Sequence, residues 1–554
     1  MQYIKMNFQF LHKGEKKMEK EIYALAFDIG TTGVKTCLFK IGKTIELLEA
    51  ATEGYKLYIM PNGGAEQDPD EWWQAMCSTS KKVIKNSKID PNNIYGISFC
   101  SQMQGLVLVD KDGNAVRRAF SYMDQRATEE IKKGIAYGPQ VAGGNVFKLL
   151  PSLAITGAAA LSVKDPVWKY KWTEANEPEN FARVHKWLDV KEYLICRMTG
   201  EFVMTKDSAF GALLYDLKKK DWSPTICKLL GVDMKHLARI ADCTEKIGVL
   251  REQQAKELGL VPGIAVFGGG GDATLIGVGA GATELGDTHV YQGTSGWVST
   301  VTDKSVVDAS TMMAAVVGAE DGIYNYFGEL ETAGKCVEWV KDHLALDEID
   351  IYMSKQHNLK RKKADMEVVY TGLYDYMMAV IDSIPAGSGG VIFTPWLHGN
   401  RCPFEDPNAR GMFFNISLDT GKTEMIRAVV EGVCFHLRWF LETEEKKVKT
   451  SKTIRFVGGG ALSDVTAQIL ADCTGRVVET VASPQNVGAV GAAVLIAIGA
   501  GIIEKVPDAK KLIPAAKTFV PNAENKVIYD KNFAVFKKLY KANKDNFADL
   551  NETN

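Results

Sequence analysis

A chain of 554 residues outgrows a single hydrophobic core, so two domains are the expected count. Its 66 Lys+Arg against 68 Asp+Glu leave a net charge of −2, which argues against nucleic acid or an anionic membrane as a partner held by bulk electrostatics. With 46% hydrophobic and 24% charged residues the composition is ordinary for a soluble globular enzyme.

The first 20 residues, MQYIKMNFQFLHKGEKKMEK, carry neither a sustained apolar run nor a small-residue cleavage site, and make a poor signal peptide. They are expected to be a disordered or untranslated extension, with Met18 as an alternative start. Residues 22–27 (IYALAF) then form a strand-like run ending at Asp28-Ile29-Gly30-Thr31-Thr32-Gly33, and residues 34–39 alternate into a second strand. The pattern is a β-hairpin with a turn of glycines and hydroxyls. Such a turn lets backbone N–H groups approach phosphate oxygens closely; Thr31 and Thr32 add hydroxyl donors, and Lys35 can reach back with positive charge. Asp28, at the strand end, is placed to hold Mg2+ directly or through water. The loop lacks the G-K-[ST] of a Walker A motif, and the hexamer alone reads equally well as an ordinary hairpin turn.

Residues 186–197 (KWLDVKEYLICR) have helical spacing, with Trp187, Tyr193, Leu194 and Cys196 available for a core. A polar helix over 251–260 followed by Pro262-Gly263 marks a domain boundary near residue 260. Residues 263–267 (GIAVF) then run into Gly268-Gly269-Gly270-Gly271-Asp272. There the Asp272 carboxylate can reach a bound hydroxyl as a general base, or cap the helix that begins Ala273-Thr274-Leu275; one residue can do both. Residues 288–292, the turn Gly293-Thr294-Ser295-Gly296 and residues 297–300 echo the first strand–turn–strand unit, which suggests two similar halves facing one another across a cleft.

A third glycine-rich strand end, Gly458-Gly459-Gly460-Ala461, offers bare backbone to a flat group such as an adenine ring, and precedes an amphipathic helix through Asp472. Residues 487–503 are apolar but marginal in length for a membrane span, and their glycines and alanines suit a buried helix packed on a sheet. The lysine-rich tail beyond Asp508 reads as a surface helix. The 10 cysteines are scattered singly with no C-x-x-C pair, and read as free thiols of a reducing, cytoplasmic compartment.

Phosphoryl transfer needs donors around the phosphate oxygens, a divalent metal and a group to take the acceptor's proton, and each has a candidate in these stretches. Taken together they resemble the FGGY family of carbohydrate kinases, within the actin-like ATPase superfamily. The most specific part is RGMFFNIS at 410–417 followed by TEMIRAVVEG at 423–432; DIGTTG, GGGGD, GTSG, GGGA-x-S and PQNVGA at 484–489 support it in the same order.

The resemblance implies an α/β fold of two RNase H-like domains, 21–260 on the sugar side and 261–545 on the ATP side, with both substrates in the cleft between them. It implies that Asp28, Thr31, Thr32 and Gly33 bind metal and phosphates, that Gly293, Thr294 and Ser295 hold the terminal phosphate, and that Asp272 is the base. Gly459, Gly460 and Ala461 would flank adenine and ribose, with Asp464 and Asn486 nearby. Within the family, QMQG at 102–105, YMDQR at 122–126 and FTPWLHGNR at 393–401 are similar to the Q-M-H-G, W-x-D-x-R and L-P-Y-L-x-G-E-R stretches of xylulokinases.

Carried over, Gln102, Met103, Gln104, Tyr122, Asp124 and Arg126 would line the sugar. A carboxylate accepts and a guanidinium donates, which suits a polyhydroxy chain, although Asp124 and Arg126 also read as a surface ion pair. The family His is Gln104 here and the usual Trp is Tyr122. D-xylulose is the expected acceptor, with gluconate, L-ribulose and erythritol open, because hydroxyl-specific sites discriminate strongly when partners go unpaired. A rival reading is an ATPase module of the actin or chaperone type, which would not need Gln104, Asp124 and Arg126. ATP and Mg2+ are the expected cofactors, and a homodimer is left open.

Overall fold

The computed structural model describes residues 20–141, 143–344 and 373–551. The expected N-terminal extension, with the alternative start at Met18, lies outside the described residues except for Lys20.

Two mixed sheets organise the chain. The first contains β1 (Ile22–Ile29), β2 (Gly33–Ile41), β3 (Ile45–Gly54), β4 (Ile94–Ser101), β5 (Lys246–Val249), β6 (Ala265–Phe267) and β7 (Gly270–Gly271). Its order is β5-β6-β4-β1-β2-β3, with β7 continuing along β4 beyond β6. The second contains β8 (Thr288–Gln292), β9 (Gly296–Thr302), β10 (Val307–Asp308), β11 (Met313–Val317), β12 (Tyr324–Leu330), β13 (Thr453–Val457), β14 (Val477–Val481) and β15 (Ala515–Phe519), in the order β10-β11-β12-β9-β8-β13-β14-β15.

In the first sheet β1 is antiparallel to β2 and parallel to β4, β2 is antiparallel to β3, and β4 is parallel to β6. In the second, β8 is antiparallel to β9 and parallel to β13, β9 is antiparallel to β12, and β13 is parallel to β14. The paths β3-β2-β1-β4-β6 and β12-β9-β8-β13-β14 are therefore one topology used twice, and the hairpins DIGTTG and GTSG occupy the same place in each. The central strands read as apolar runs because both their faces are covered: Ala24, Leu25, Ala26 and Phe27 of β1 are all buried.

Each lobe has its own core, one around Trp72, Trp168 and Trp187, the other around Trp396, Phe435 and Phe440. A third apolar cluster joins them. It draws Ala24 and Phe267 from the first sheet, Trp297 and Val457 from the second, and nearly all of the helix Val487–Gly499. That helix is buried as expected, and among the described residues no helix is long and apolar enough to cross a membrane. It crosses the helix Asp272–Gly279 in backbone contact: a Cβ added at Gly491 would lie 2.3 Å from the Leu275 carbonyl oxygen. Only glycine permits that approach.

Two expectations are corrected and a third is sharpened. The division at residue 260 falls inside the first lobe, because β6 and β7 hydrogen-bond to β4 of the first sheet and carry Asp272 with them. The helix expected over 186–197 is a short strand, Lys186–Leu188, and then a helix, α1 (Val190–Thr199); the Asp189 side chain accepts from the Val190 N–H and starts the helix there. The tail beyond Asp508 is a short helix, Ala509–Leu512, then β15, then a helix, Ala523–Asn551, that lies on the surface with one face docked, burying Tyr529, Phe533, Phe536, Leu539 and Phe547. The aromatic stripe at helical spacing outweighs the lysines between.

Candidate functional site

The carboxyl ends of β1, β4 and β7 collect the first half of the site, where open sheets with parallel strands usually bind ligands. Asp28 pairs in register with Cys100 of β4, and Cys100 with Gly270 of β7. Two strand spacings, about 10 Å, thus separate the backbone of Asp28 from that of the turn carrying Asp272.

Asp272 opens the helix α2 (Asp272–Gly279), with Gly271 rather than Asp272 in the capping position, and its Oδ1 accepts from the Ala273 N–H at 2.8 Å. Its side chain is only partly exposed. Burial lifts the carboxyl to about 7, against the Ala273 hydrogen bond and with added repulsion from Glu329 and Asp28. The glycines before it are required by close neighbours. Gly269 has φ +71, and a Cβ at Gly271 would lie 2.2 Å from Met103 Sδ. Met103, expected at the sugar, therefore packs directly against the turn that carries Asp272.

That turn is held by a residue the sequence reading missed. The Gly271 N–H donates to Asp207 Oδ2 at 2.6 Å; Asp207 Oδ1 accepts from Thr205 Oγ1 at 2.5 Å and lies 3.7 Å from Lys191 Nζ. Lys191 also pairs with Glu192 at 2.7 Å, and all three charged side chains are fully buried. The available signal was Lys191-Glu192 set in an otherwise core-forming helix, where charges are seldom buried unless paired.

The DIGTTG turn closes with Gly30 N–H donating to the Gly33 carbonyl at 2.9 Å, and is braced by Gln67 Nε2 donating to the Thr31 carbonyl at 2.6 Å. Lys35 pairs across the hairpin with Asp28. Its Nζ donates to the Gln485 carbonyl at 2.7 Å, on the other side of the cleft. Burial raises the Asp28 carboxyl, opposed by Lys35 and a Cys100 hydrogen bond. A Cβ at Gly488 would lie 3.0 Å from Asp28 Oδ2, so glycine leaves the carboxylate its room. Among the described residues no cluster of three or more His, Cys, Asp or Glu could hold a metal. The one carboxylate with neighbouring Thr hydroxyls fits Mg2+, which is commonly held by one or two carboxylates together with substrate phosphates and water.

On the second lobe, the carbonyls of Gly293 and Thr294 are fixed by the N–H groups of Gly334 at 2.9 Å and of Ala333 and Lys335 at 3.0 and 3.1 Å. Since β8 and β13 are parallel neighbours, the GTSG loop with Ser295 lies beside the GGGA loop. There Gly458 N–H donates to the Pro484 carbonyl at 2.8 Å, and a Cβ at Gly460 would lie 2.6 Å from Gln292 Cδ. Gly459 to Leu462 form a single 3-10 turn that includes Ala461. Asn486 is buried at the start of the Val487–Gly499 helix without capping it. Asp464 is exposed and engaged with Lys517 Nζ, 2.8 Å from each of its oxygens.

The stretches expected at the sugar divide. Gln102 is buried as a brace, its Nε2 donating to Gln67 Oε1 at 2.9 Å. Gln104 adopts φ +61, with its N–H on Asp189 Oδ2 at 3.0 Å and its Nε2 3.4 Å from the Gly211 carbonyl. Tyr122 remains 38% exposed, its hydroxyl 3.4 Å from Thr31 Oγ1, and so joins the 122–126 stretch to the DIGTTG loop.

Asp124 and Arg126 do not form the open pair expected. Asp124 is 0% exposed, accepting from the Ala65 N–H at 2.7 Å and from Arg126 at 2.8 Å. Arg126 also pairs with Glu66 at 2.9 Å beneath the rings of Phe120 and Trp172. A buried carboxylate must be satisfied internally, and these partners do so, which leaves the pair as the brace of the loop that carries Tyr122. Asp124→Asn, which keeps an acceptor for Ala65, is expected to lower stability by about 1–3 kcal/mol, measured by urea unfolding.

The family model for the N-terminal domain of FGGY carbohydrate kinases matches residues 23–279, ending with α2, and that for the C-terminal domain matches 290–500. The chain is 27% identical over 526 residues to a xylulose kinase of Bacillus subtilis (strain 168), covering 94% of this chain and 97% of that one. A ligand-bound xylulose kinase from Lactobacillus acidophilus superposes with a TM-score of 0.80 at 26% identity, over 95% of this chain and 99% of that one. A gluconate kinase from the same organism gives 0.80 at 26%, over 96% and 100%. With two lobes of one topology, a glycine loop at each hairpin and both domain models matched along its length, this chain belongs to the FGGY family of carbohydrate kinases.

Proposed function

We propose that this sugar kinase transfers the γ-phosphate of Mg-ATP to a hydroxyl of a neutral pentulose, D-xylulose first among them. The observation that carries this reading is the charge around the acceptor end. Tyr122 lies within the influence of Asp272, Glu329 and Glu331 together, and the nearby Arg401 is paired with Glu329 at 2.6 Å. A ketose brings only hydroxyls to such a site. An aldonate brings a further negative charge, and like charges near a protein surface repel.

In this reading Asp272 takes the proton of the acceptor hydroxyl, while Thr31, Thr32 and the 293–295 loop hold the phosphates. Mg2+ held at Asp28 would neutralise charge on them. Gly459, Gly460 and Ala461 offer backbone to the adenine, and Met103, Gln104 and Tyr122 face the sugar. The ten cysteines, all free and nine of them buried, fit a reducing cytoplasm.

ADP release with Mg-ATP should be measured against D-xylulose, L-ribulose, erythritol and D-gluconate, with a sugar-free control. A pentulose is expected to exceed gluconate in kcat/KM by at least roughly tenfold. A preference for gluconate would overturn the reading.

A further inference from the structure

Tyr291 lies on β8, two residues before the Gly293 that opens the phosphate loop. Its ring folds under that loop: a Cβ built on Gly293 would lie 2.3 Å from Tyr291 Oη. The ring is fixed from behind by its cross-strand partner Trp297, stacked at 4.0 Å between centroids, and Trp297 Nε1 in turn donates to His289 Nε2 at 3.1 Å. Strand pairing, stacking and a second-layer hydrogen bond thus aim one phenol at one place. Among the described residues no protein group hydrogen-bonds its hydroxyl, and the residue is only partly buried. After burial itself, the groups acting most strongly on the phenol are Asp28 and Asp272. The hydroxyl therefore sits by the phosphate loop and within reach of the fields of both the carboxylate suited to the metal and the base.

We infer that Tyr291 Oη donates a hydrogen bond to the phosphoryl group as it passes from ATP to the sugar. In a loose transition state the transferring group carries its charge on three equatorial oxygens between the attacking and leaving oxygens. A fixed donor at that place stabilises it without reorganising. A purely structural role would need only the ring, since the stack on Trp297 and the contact with Gly293 are made by carbon as well as by oxygen.

The inference rests on assigning the 293–296 loop to the phosphates, so Tyr291→Phe should be compared with Thr294→Ala. Phenylalanine keeps the stack, so the fold is expected to persist. Removing a hydrogen bond to a charged group should lower kcat roughly 10–100-fold. The sugar KM and the Kd for ADP, measured by titration calorimetry, should stay within about twofold of wild type. Binding of ADP with aluminium fluoride in the presence of the sugar should weaken in parallel with kcat, as loss of a contact specific to the transition state requires. A Tyr291→Phe enzyme within about twofold of wild type in kcat, or one that loses ADP affinity as much as rate, would overturn the proposal. If Thr294→Ala slows the reaction and Tyr291→Phe does not, the tyrosine proposal alone fails. If neither has any effect, the loop assignment fails as well.

Discussion

Asp272→Asn is expected to lower kcat by roughly 10² or more while ATP and sugar still bind. The substitution is close to isosteric. Asn keeps an acceptor for the Ala273 N–H, and Gly271 still occupies the capping position, so the turn should hold its shape. What disappears is basicity. Burial first, then Glu329 and Asp28, raise the Asp272 carboxyl to about 7, which suits a base that must take and release a proton near neutrality. The base works in its deprotonated form, so wild-type kcat/KM should rise as pH climbs through about 7 and level above it. In Asp272→Asn that rise should vanish.

A second readout does not depend on activity. The folded carboxyl holds its proton up to about 7, whereas the unfolded one releases it near 3.8, so wild type loses stability as pH rises through that window. Asn carries no such penalty. The variant should therefore melt higher than wild type at pH 8, and the difference should shrink on going to pH 4. A variant retaining more than roughly a tenth of wild-type kcat would show that another group is the base.

The parts of this molecule legible in its sequence are those whose chemistry is local. A loop suited to phosphate needs glycine and hydroxyls within a few residues, and one suited to a flat ring needs bare backbone, so DIGTTG, GTSG and GGGA stood out, and each lies at a strand end. Strand partners are not local. Gly268 and Gly269 interrupt the strand that pairs with β4, and with Pro262-Gly263 they resemble a linker, although their hydrogen bonds keep the segment in the first sheet.

Polar residues two apart told of an Asp124–Arg126 pair but not of its burial, which depends on Ala65, Glu66 and Trp172 arriving from elsewhere. The tail helix is the opposite case. Tyr529, Phe533, Phe536 and Leu539 recur at helical spacing and could have been read as a docked face; its lysines drew the eye to the solvent side.

Asp207 is the clearest non-local element, 64 residues from the Gly271 N–H that it accepts. Burial alone would raise its carboxyl, but Lys191, the Thr205 hydroxyl and the Gly271 N–H together hold it below the usual range. It is thus a buried anion satisfied on both oxygens, and one of those bonds ends on the residue before Asp272. Asp207→Ala is expected to cost about 3–5 kcal/mol of stability, because Lys191 keeps Glu192 but loses its second counter-charge in a dry site. Stability alone would leave the folded enzyme fully active.

The prediction is stronger. Measured at a temperature where the variant is folded by circular dichroism, kcat should fall about 10²-fold, as expected for a displacement near 1 Å of a reacting group. The Kd for ATP should barely move, since the hydrogen bonds of Asp207 end on Thr205, Cys243 and Gly271 and not on the DIGTTG, GTSG or GGGA loops. Asp207→Asn returns an acceptor to the Gly271 N–H without the charge, so it should recover most of kcat while recovering little of the stability. If Asp207→Ala is destabilised yet keeps kcat within a few-fold of wild type, the four-glycine turn holds Asp272 without help. Asp207 would then matter only to the core.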